Sequence, residues 1–503
     1  MLATARTFTL LGVAAREVLV EVDVHRGLPA FSLVGLPDAA VRESRERVRA
    51  ALTNSGFEFP LRRITANLAP ADLRKAGPGL DLAIAAALLG ASDQLPERSI
   101  SGWCLAGELA LDGSIRPVPG VLAMAEAARE GGAHGIAVAA GNAAEARLVE
   151  GLAVAPLRTL RELCEIGNPS QRRLERPRVD PSMNGAPREA LPDLADVRGQ
   201  DGLRRALEVA AAGGHSLLVT GPPGAGKSLA AQRLPSILPP LSREEAIEVT
   251  RIASACGRAP APGTLAARPF RAPHHTISAA GLVGGGNPLR PGEVTLAHGG
   301  VLFLDELGEF ARPALEALRQ PLEAGTVVVT RARYAVTMPC RFMLVAAANR
   351  CPCGRGEESE HCRCSPVAVR GYNAKLSGAL ADRIDICVTV EQPEAETMAG
   401  PPGEPSRAVR ARVVAARERQ TARLGPGRVN ALMRPAESRR HGGLDSEARA
   451  LLAEGHTRLG LSGRGYERVL RVARTLADLD ESDRVRAEHV AEALTLRRRH
   501  TRP

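Results

Sequence analysis

The sequence predicts an α/β fold: a core built on a parallel sheet, an α+β domain before it and a helical domain after it. Three observations predict this. The glycine-rich stretch GPPGAGKS at 221–228 stands between an apolar run, SLLVT at 216–220, and a segment of helical spacing at 229–234. A second apolar run, VLFLDE at 301–306, ends in two carboxylates about eighty residues further on. From 408 onward apolar residues recur at helical spacing in four successive segments.

The totals agree with a chain of several domains. At 503 residues it has room for about three. It is 44% hydrophobic but only 2% aromatic, so its cores must be aliphatic. The net charge is +10, and residues 401–503, with 22 Arg, no Lys and 13 acidic residues, carry +9 of it. That excess favours a polyanionic partner, with an arginine-rich solvated surface as the alternative. Of 66 basic residues only Lys75, Lys227 and Lys375 are lysines. Where arginine serves almost everywhere, a lysine marks a place for a compact ammonium. For Lys375 the options are a phosphate or subunit contact, or an ordinary surface position. Nine cysteines show no disulfide framework, and no signal peptide or membrane-length apolar run is read, so a reduced, cytoplasmic protein away from membranes is expected.

Residues 1–167 form the first domain. Residues 7–24 alternate as hairpin strands, 38–54 and 80–89 have helical character, 105–111 is a strand running into the turn at Asp112 and Gly113, and 124–128 looks helical. Residues 168–192 are rich in Pro, Arg, Asn and Ser and read as a linker. The core follows at 193–392, and a Pro- and Gly-rich boundary leads into a helical domain at 393–503 with segments at 408–424, 446–459, 465–479 and 486–498.

In the core, 221–228 is a phosphate-binding loop in its strand–loop–helix setting. Gly221, Gly224 and Gly226, with Pro222, Pro223 and Ala225 between them, let backbone N–H groups turn toward phosphate oxygens. Lys227 would reach the β- and γ-phosphates of ATP, and the Ser228 hydroxyl would hold Mg²⁺. Asp305 would complete the Mg²⁺ shell and Glu306 would polarise the attacking water, because carboxylates closing a buried strand need a cation or a proton. Asn349 closes another apolar strand, 342–348, where it could orient that water. In LADRIDI at 380–386, Arg383 could reach a neighbouring subunit's γ-phosphate as an arginine finger; a salt bridge to Asp382 or Asp385 is the alternative. Arg464, opening a C-terminal helix, could return to the phosphates, with Arg468 as runner-up.

Three further stretches bear chemistry. Residues 326–338 read as a hairpin with a basic tip, where Arg331, Arg333 and Tyr334 could meet a nucleic acid or simply face solvent. The glycine-rich 281–293 stretch carries Arg290; His274 and His275 precede it, and as strand neighbours they would point apart and rarely share one metal. Cys351, Cys353, Cys362 and Cys364 form two close pairs. They could build a tetrahedral Zn²⁺ site, form redox pairs or be inert thiols; zinc would staple the loop beside Asn349.

With these residues in place the chain resembles the magnesium-chelatase-like AAA+ ATPases of the YifB/ComM family over nearly its whole length. The resemblance rests on GLPDAAVRESRERVRAAL, NLAPADLRKAGPGLDL, GPPGAGKS, RPFRAPHHTISAAGLVGGG, GGVLFLDELGEF, NRCPCG, LSGALADRIDI and RVLRVARTLADL. It implies an AAA+ core with a C-terminal helical lid, a ring, expected to be a hexamer, with ATP between subunits, Arg383 as finger and Asn349 as sensor. It also implies binding of single- and double-stranded DNA and junctions, and branch migration during integration of DNA in natural transformation or recombination. The first domain resembles the proteolytic domain of Lon, but Gly79 stands where that family has its nucleophilic Ser and Leu122 where it has its Lys. A hydroxyl nucleophile needs its activating amine, so a Lon-like fold without peptidase activity is expected. The competing readings are a protein remodeller without nucleic acid and a magnesium-chelatase-type ATPase subunit.

Overall fold

The computed structural model describes residues 1–166 and 191–497, apart from 262, 287–288, 332–333, 356–361, 377–379 and 381–382. Most of the expected linker and Arg333 of the basic tip therefore lie outside the described residues.

Alternating apolar residues at the N-terminus pair Leu2–Leu11 with Ala14–His25 as an antiparallel hairpin, its turn at Gly12 in left-handed backbone (φ 66°). They form the middle of a seven-stranded mixed sheet. Arg63–Ala69 and then Ala30–Val34 extend it on one side; Trp103–Ala106, Gly135–Ala139 and Ala153–Leu157 extend it in parallel on the other. The strand expected over 105–111 is split at Gly107, where an added Cβ would come 2.7 Å from the Ile115 side chain.

Two of the expected helices cover this sheet. Ala39–Asn54 is capped by the Asp38 carboxylate, which accepts from Val41 N at 2.8 Å, and buries Val41, Ser44, Val48, Ala51 and Leu52. Asp81–Ala91 is buried on all sides except at Gly90. Its first residue, Asp81, is fully buried and is satisfied by Ser44 Oγ, the Leu109 N–H and both ends of the Arg47 guanidinium (2.7 and 3.0 Å). Removing one partner of such a pair strands the other charge. Asp81→Ala should therefore destabilise this domain by about 3–5 kcal/mol, seen as early unfolding in urea followed by circular dichroism.

The core is a five-stranded, all-parallel sheet in the spatial order Phe270–Arg271, Val301–Leu304, Met343–Ala348, Leu217–Thr220, Ile386–Thr389. Val301–Leu304 and Met343–Ala348 are buried at every residue, which is why they read as unbroken apolar runs. The expected hairpin is present, with Thr326–Arg331 paired to Tyr334–Pro339. The first domain is fixed to this core. The Gly120 N–H donates to Ser254 Oγ at 3.0 Å, Ser254 donates to the Glu145 carboxylate, Arg251 pairs with Glu126 at 3.3 Å, and Val13 is buried in the core's apolar cluster.

The C-terminal residues form helices Ser406–Leu424, Pro435–Gly442, Ser446–Arg458, Gly463–Leu479 and Ala487–Thr495. Pro435–Gly442 is one that the spacing did not reveal. Asn430, Asp478, Arg423 and Thr475 knit them together around a buried polar centre. Among the described residues no helix is long and apolar enough to cross a membrane.

Candidate active site

The phosphate-binding loop leaves the buried strand Leu217–Thr220 and enters the helix Lys227–Ile237. Its first glycine is dictated by crowding: a Cβ on Gly221 would lie 2.5 Å from the carbonyl oxygen of Val390, the residue just after the adjacent strand. Gly224 and Gly226 have φ near 80°, so the chain curls through left-handed backbone that a side chain would strain. Gln200 clips the loop from outside, its Nε2 donating to Ala225 O at 3.2 Å and Glu391 O at 2.7 Å.

Four of the expected residues meet at the C-terminal ends of the sheet strands. Ser228 Oγ donates to Asp305 Oδ2 at 2.6 Å, so a hydroxyl and a carboxylate converge as two hard oxygen ligands suited to Mg²⁺. Lys227 Nζ, on a nearly buried side chain, donates to Gly221 O and Pro222 O (2.8 Å each) and to Asn349 Oδ1 at 3.1 Å. Burial pulls the Lys227 ammonium below its ordinary pKa, while Asp305 and Glu306 act in the opposite direction. All three lysines hold backbone carbonyls: Lys75 that of Pro70, Lys227 those of its loop, and Lys375 that of Gly308 at 3.0 Å. Lys375 is thus an anchor for the turn just after Glu306.

Glu306 lies apart from that cluster. Its backbone is left-handed (φ 53°), its side chain is more than half exposed, and its carboxylate sits 3.4 Å from His275 Nδ1. The strand preceding the two histidines ends at Arg271, so His274 and His275 do not alternate; their rings lie 4.1 Å apart, centroid to centroid. Tyr372 supports Asn349 by accepting its N–H at 3.2 Å, and burial pushes the Tyr372 phenol up to about 12. Gln200 and Tyr372 are members that sequence reasoning missed, and His275 was weighed there only with His274 as a metal pair.

The two arginines are not brought to this chain's own loop. Arg383 and Asp385 precede the strand Ile386–Thr389, whose start pairs with Leu217, whereas the phosphate loop follows Thr220. The strand's length, about 13 Å, separates them from the loop. Arg383 pairs with Glu323 at 2.6 Å, and Asp382, one of the two bridge partners considered as its alternative, lies outside the described residues. Asp385 instead takes Arg468 at 3.0 Å and the Ser216 N–H at 3.2 Å. Arg464, exposed and one turn before Arg468, is therefore carried toward the same far end of the sheet.

The four clustered cysteines converge. Sγ–Sγ distances are 3.3 Å (351 to 353), 3.8 Å (351 to 362) and 3.7 Å (353 to 362), and all four ligand atoms lie within 4.8 Å of one another. A tetrahedral site with Zn–S bonds of about 2.3 Å has S–S edges of about 3.8 Å, so the donor set fits zinc. The Arg355 N–H and the Cys351 thiol, both directed at Cys353, lower its pKa to about 6.

A parallel sheet with a phosphate loop after one central strand, a paired carboxylate after the next-but-one and an asparagine after the strand between them defines a phosphate-loop nucleotide-binding protein. Three family models match the chain: magnesium chelatase, subunit ChlI, over 193–398; subunit ChlI of Mg-chelatase over 20–142; and magnesium chelatase, subunit ChlI C-terminal, over 403–497. The chain is 43% identical to the YifB protein of Escherichia coli K12 over 99% of its own length and 97% of that protein. It is 44% identical to the Rv2897c protein of Mycobacterium tuberculosis H37Rv, covering 99% of each, and 41% identical to competence protein ComM of Haemophilus influenzae Rd, covering 97% and 96%. The chain belongs to the YifB/ComM family of magnesium-chelatase-like AAA+ proteins. That membership points to ATPase activity with ATP and Mg²⁺.

Proposed function

We propose that this chain is an ATP-driven ring motor acting on DNA, a branch-migration helicase that promotes integration of incoming DNA in natural transformation or recombination. The observation that carries the motor is the Lys227–Asn349 and Ser228–Asp305 constellation at one end of the parallel sheet. Nearly full-length similarity to a protein named for competence supports the DNA reading, as does the excess of +9 in residues 401–503. Lys227 leaves its loop carbonyls for the β- and γ-phosphates, Ser228 and Asp305 hold Mg²⁺, and Glu306 with Asn349 directs the water. Arg383 and Arg464 act on the nucleotide of an adjacent subunit in a ring, which we take to be hexameric.

The domains at 1–167, 193–392 and 393–503 serve as platform, motor and lid. The first has a Lon-like role in assembly or DNA handling without peptidase chemistry: the atoms nearest a Cβ placed on Gly79 are those of the Val118 side chain, and Leu122 is fully buried. The four cysteines hold a structural Zn²⁺. The chelatase models favour one second reading, an ATPase subunit for metal insertion.

The test measures ATP hydrolysis with and without a labelled four-way DNA junction and reads the strand products in the same tube. Junction-stimulated hydrolysis with strand separation is expected. In Lys227→Ala, loss of the charge on the developing phosphate oxygens should lower the rate by about 10²–10³. Robust hydrolysis that ignores the junction and leaves it intact would overturn the DNA motor in favour of protein remodelling.

A further inference from the structure

The cysteine cluster touches the nucleotide site from two directions. Upstream, it begins two residues after Asn349, and its Gly354 lies against the phosphate loop itself: a Cβ on Gly354 would come 2.7 Å from Pro223 Cγ and 3.8 Å from Asn349 Nδ2. Downstream, Cys364 leads directly into the helix Pro366–Leu376. That helix returns to the site. Tyr372 Oη accepts the Asn349 N–H, the Tyr372 ring fills the space that a Gly308 side chain would need, and Lys375 Nζ holds the Gly308 carbonyl. The loop that grips phosphate, the residue that orients water and the turn after Glu306 are thus each braced by a segment adjoining the four thiols.

We propose that Zn²⁺ bound by Cys351, Cys353, Cys362 and Cys364 is coupled to nucleotide occupancy, so that the metal centre is distorted when ATP binds and the ATP site loosens when the metal leaves. The proposal rests on the zinc and ATP readings above. Binding is a simple ligation: four thiols lose their protons and form four Zn–S bonds, with no change in oxidation state. A chain of packed contacts couples two sites only when both bias the same element. Here that element is the pair of stretches 349–355 and 362–375, which carry the four thiols and meet the nucleotide site at Asn349, Gly354, Tyr372 and Lys375.

The test uses the full chain with Co²⁺ exchanged for Zn²⁺, because the visible spectrum of Co²⁺ reports the geometry of its thiolate shell. One metal per chain is expected, with a tetrahedral thiolate spectrum that shifts when a non-hydrolysable ATP analogue is added with Mg²⁺. In Tyr372→Phe, which removes the acceptor of the Asn349 N–H, that shift should shrink even at saturating analogue. Stripping the metal should weaken nucleotide binding, read by fluorescence of a labelled analogue, by about tenfold or more, as expected of a coupling of the size seen between linked sites.

A spectrum indifferent to bound nucleotide, with affinity unchanged after stripping, would reduce the metal to a passive staple and overturn the coupling. A chain that takes up no metal in any state would overturn the zinc reading as well. Cobalt uptake without nucleotide binding would overturn the ATP reading, and with it the coupling.

Discussion

Glu306→Gln should bind ATP and fail to hydrolyse it, with turnover lowered by about 10²–10⁴. The substitution keeps the shape of the side chain and removes its basicity. Asp305 and Glu306 are adjacent yet have different surroundings because the backbone turns left-handed at Glu306, which takes its carboxylate out of the line of the strand while Asp305 stays on Ser228. A non-glycine residue in that region costs about 1–3 kcal/mol, and such strain gathers at functional sites. The amide should therefore leave the Ser228–Asp305 pair and the Lys227 contacts in place. Phosphate release read beside retained nucleotide on a filter would show the split. Wild-type hydrolysis in the variant would place water activation on another group and leave the Glu306 backbone geometry without its functional explanation. His275, 3.4 Å away, would be the first group to examine in that case.

The parts of this site that were legible in the sequence are those whose chemistry is fixed by neighbours along the chain. The loop, the DE pair and Asn349 each end a buried strand, and a buried parallel strand has to be an apolar run, so each polar residue at its end stands out. The supporting residues were not legible because they arrive from elsewhere. Gln200 comes from before the first core helix, Tyr372 from a helix beyond the cysteines, and His275 from beyond the short edge strand at Phe270–Arg271. The same physics governs the fold. The long alternating strands and the helix at Ala39–Asn54 declare themselves by period, and Asp81–Ala91 by the length of its apolar run. Gly135–Ala139 is five fully buried residues, and a run that short has no period to read. Pro435–Gly442, eight residues long and mostly polar, was hidden likewise, although it has Pro at its start and Gly443 in left-handed backbone at its end.

Arg383→Ala should lower ATP turnover by about 10³–10⁵, the range that supplying or removing an arginine finger commands, while nucleotide binding to the isolated chain changes little. The second half of that expectation follows from the sheet. Arg383 stands at the opposite end of the central strands from the phosphate loop of its own chain, and its guanidinium is held by Glu323. Glu323 is about half exposed, so solvent screens its side of the pair and a better anion can displace it. A γ-phosphate presented by an adjacent subunit is such an anion.

The decisive measurement mixes two inactive chains. Lys227→Ala lacks the ammonium of the phosphate loop but keeps its Arg383; Arg383→Ala keeps that loop intact but lacks the proposed finger. In a closed ring with one repeated interface, random mixing in equal amounts should complete about a quarter of the sites and restore that share of wild-type hydrolysis. Each chain alone should stay inactive at the same total concentration. A mixture as inactive as its components would mean that Arg383 works within its own chain, through Glu323, and the assignment of a finger acting between subunits would be withdrawn.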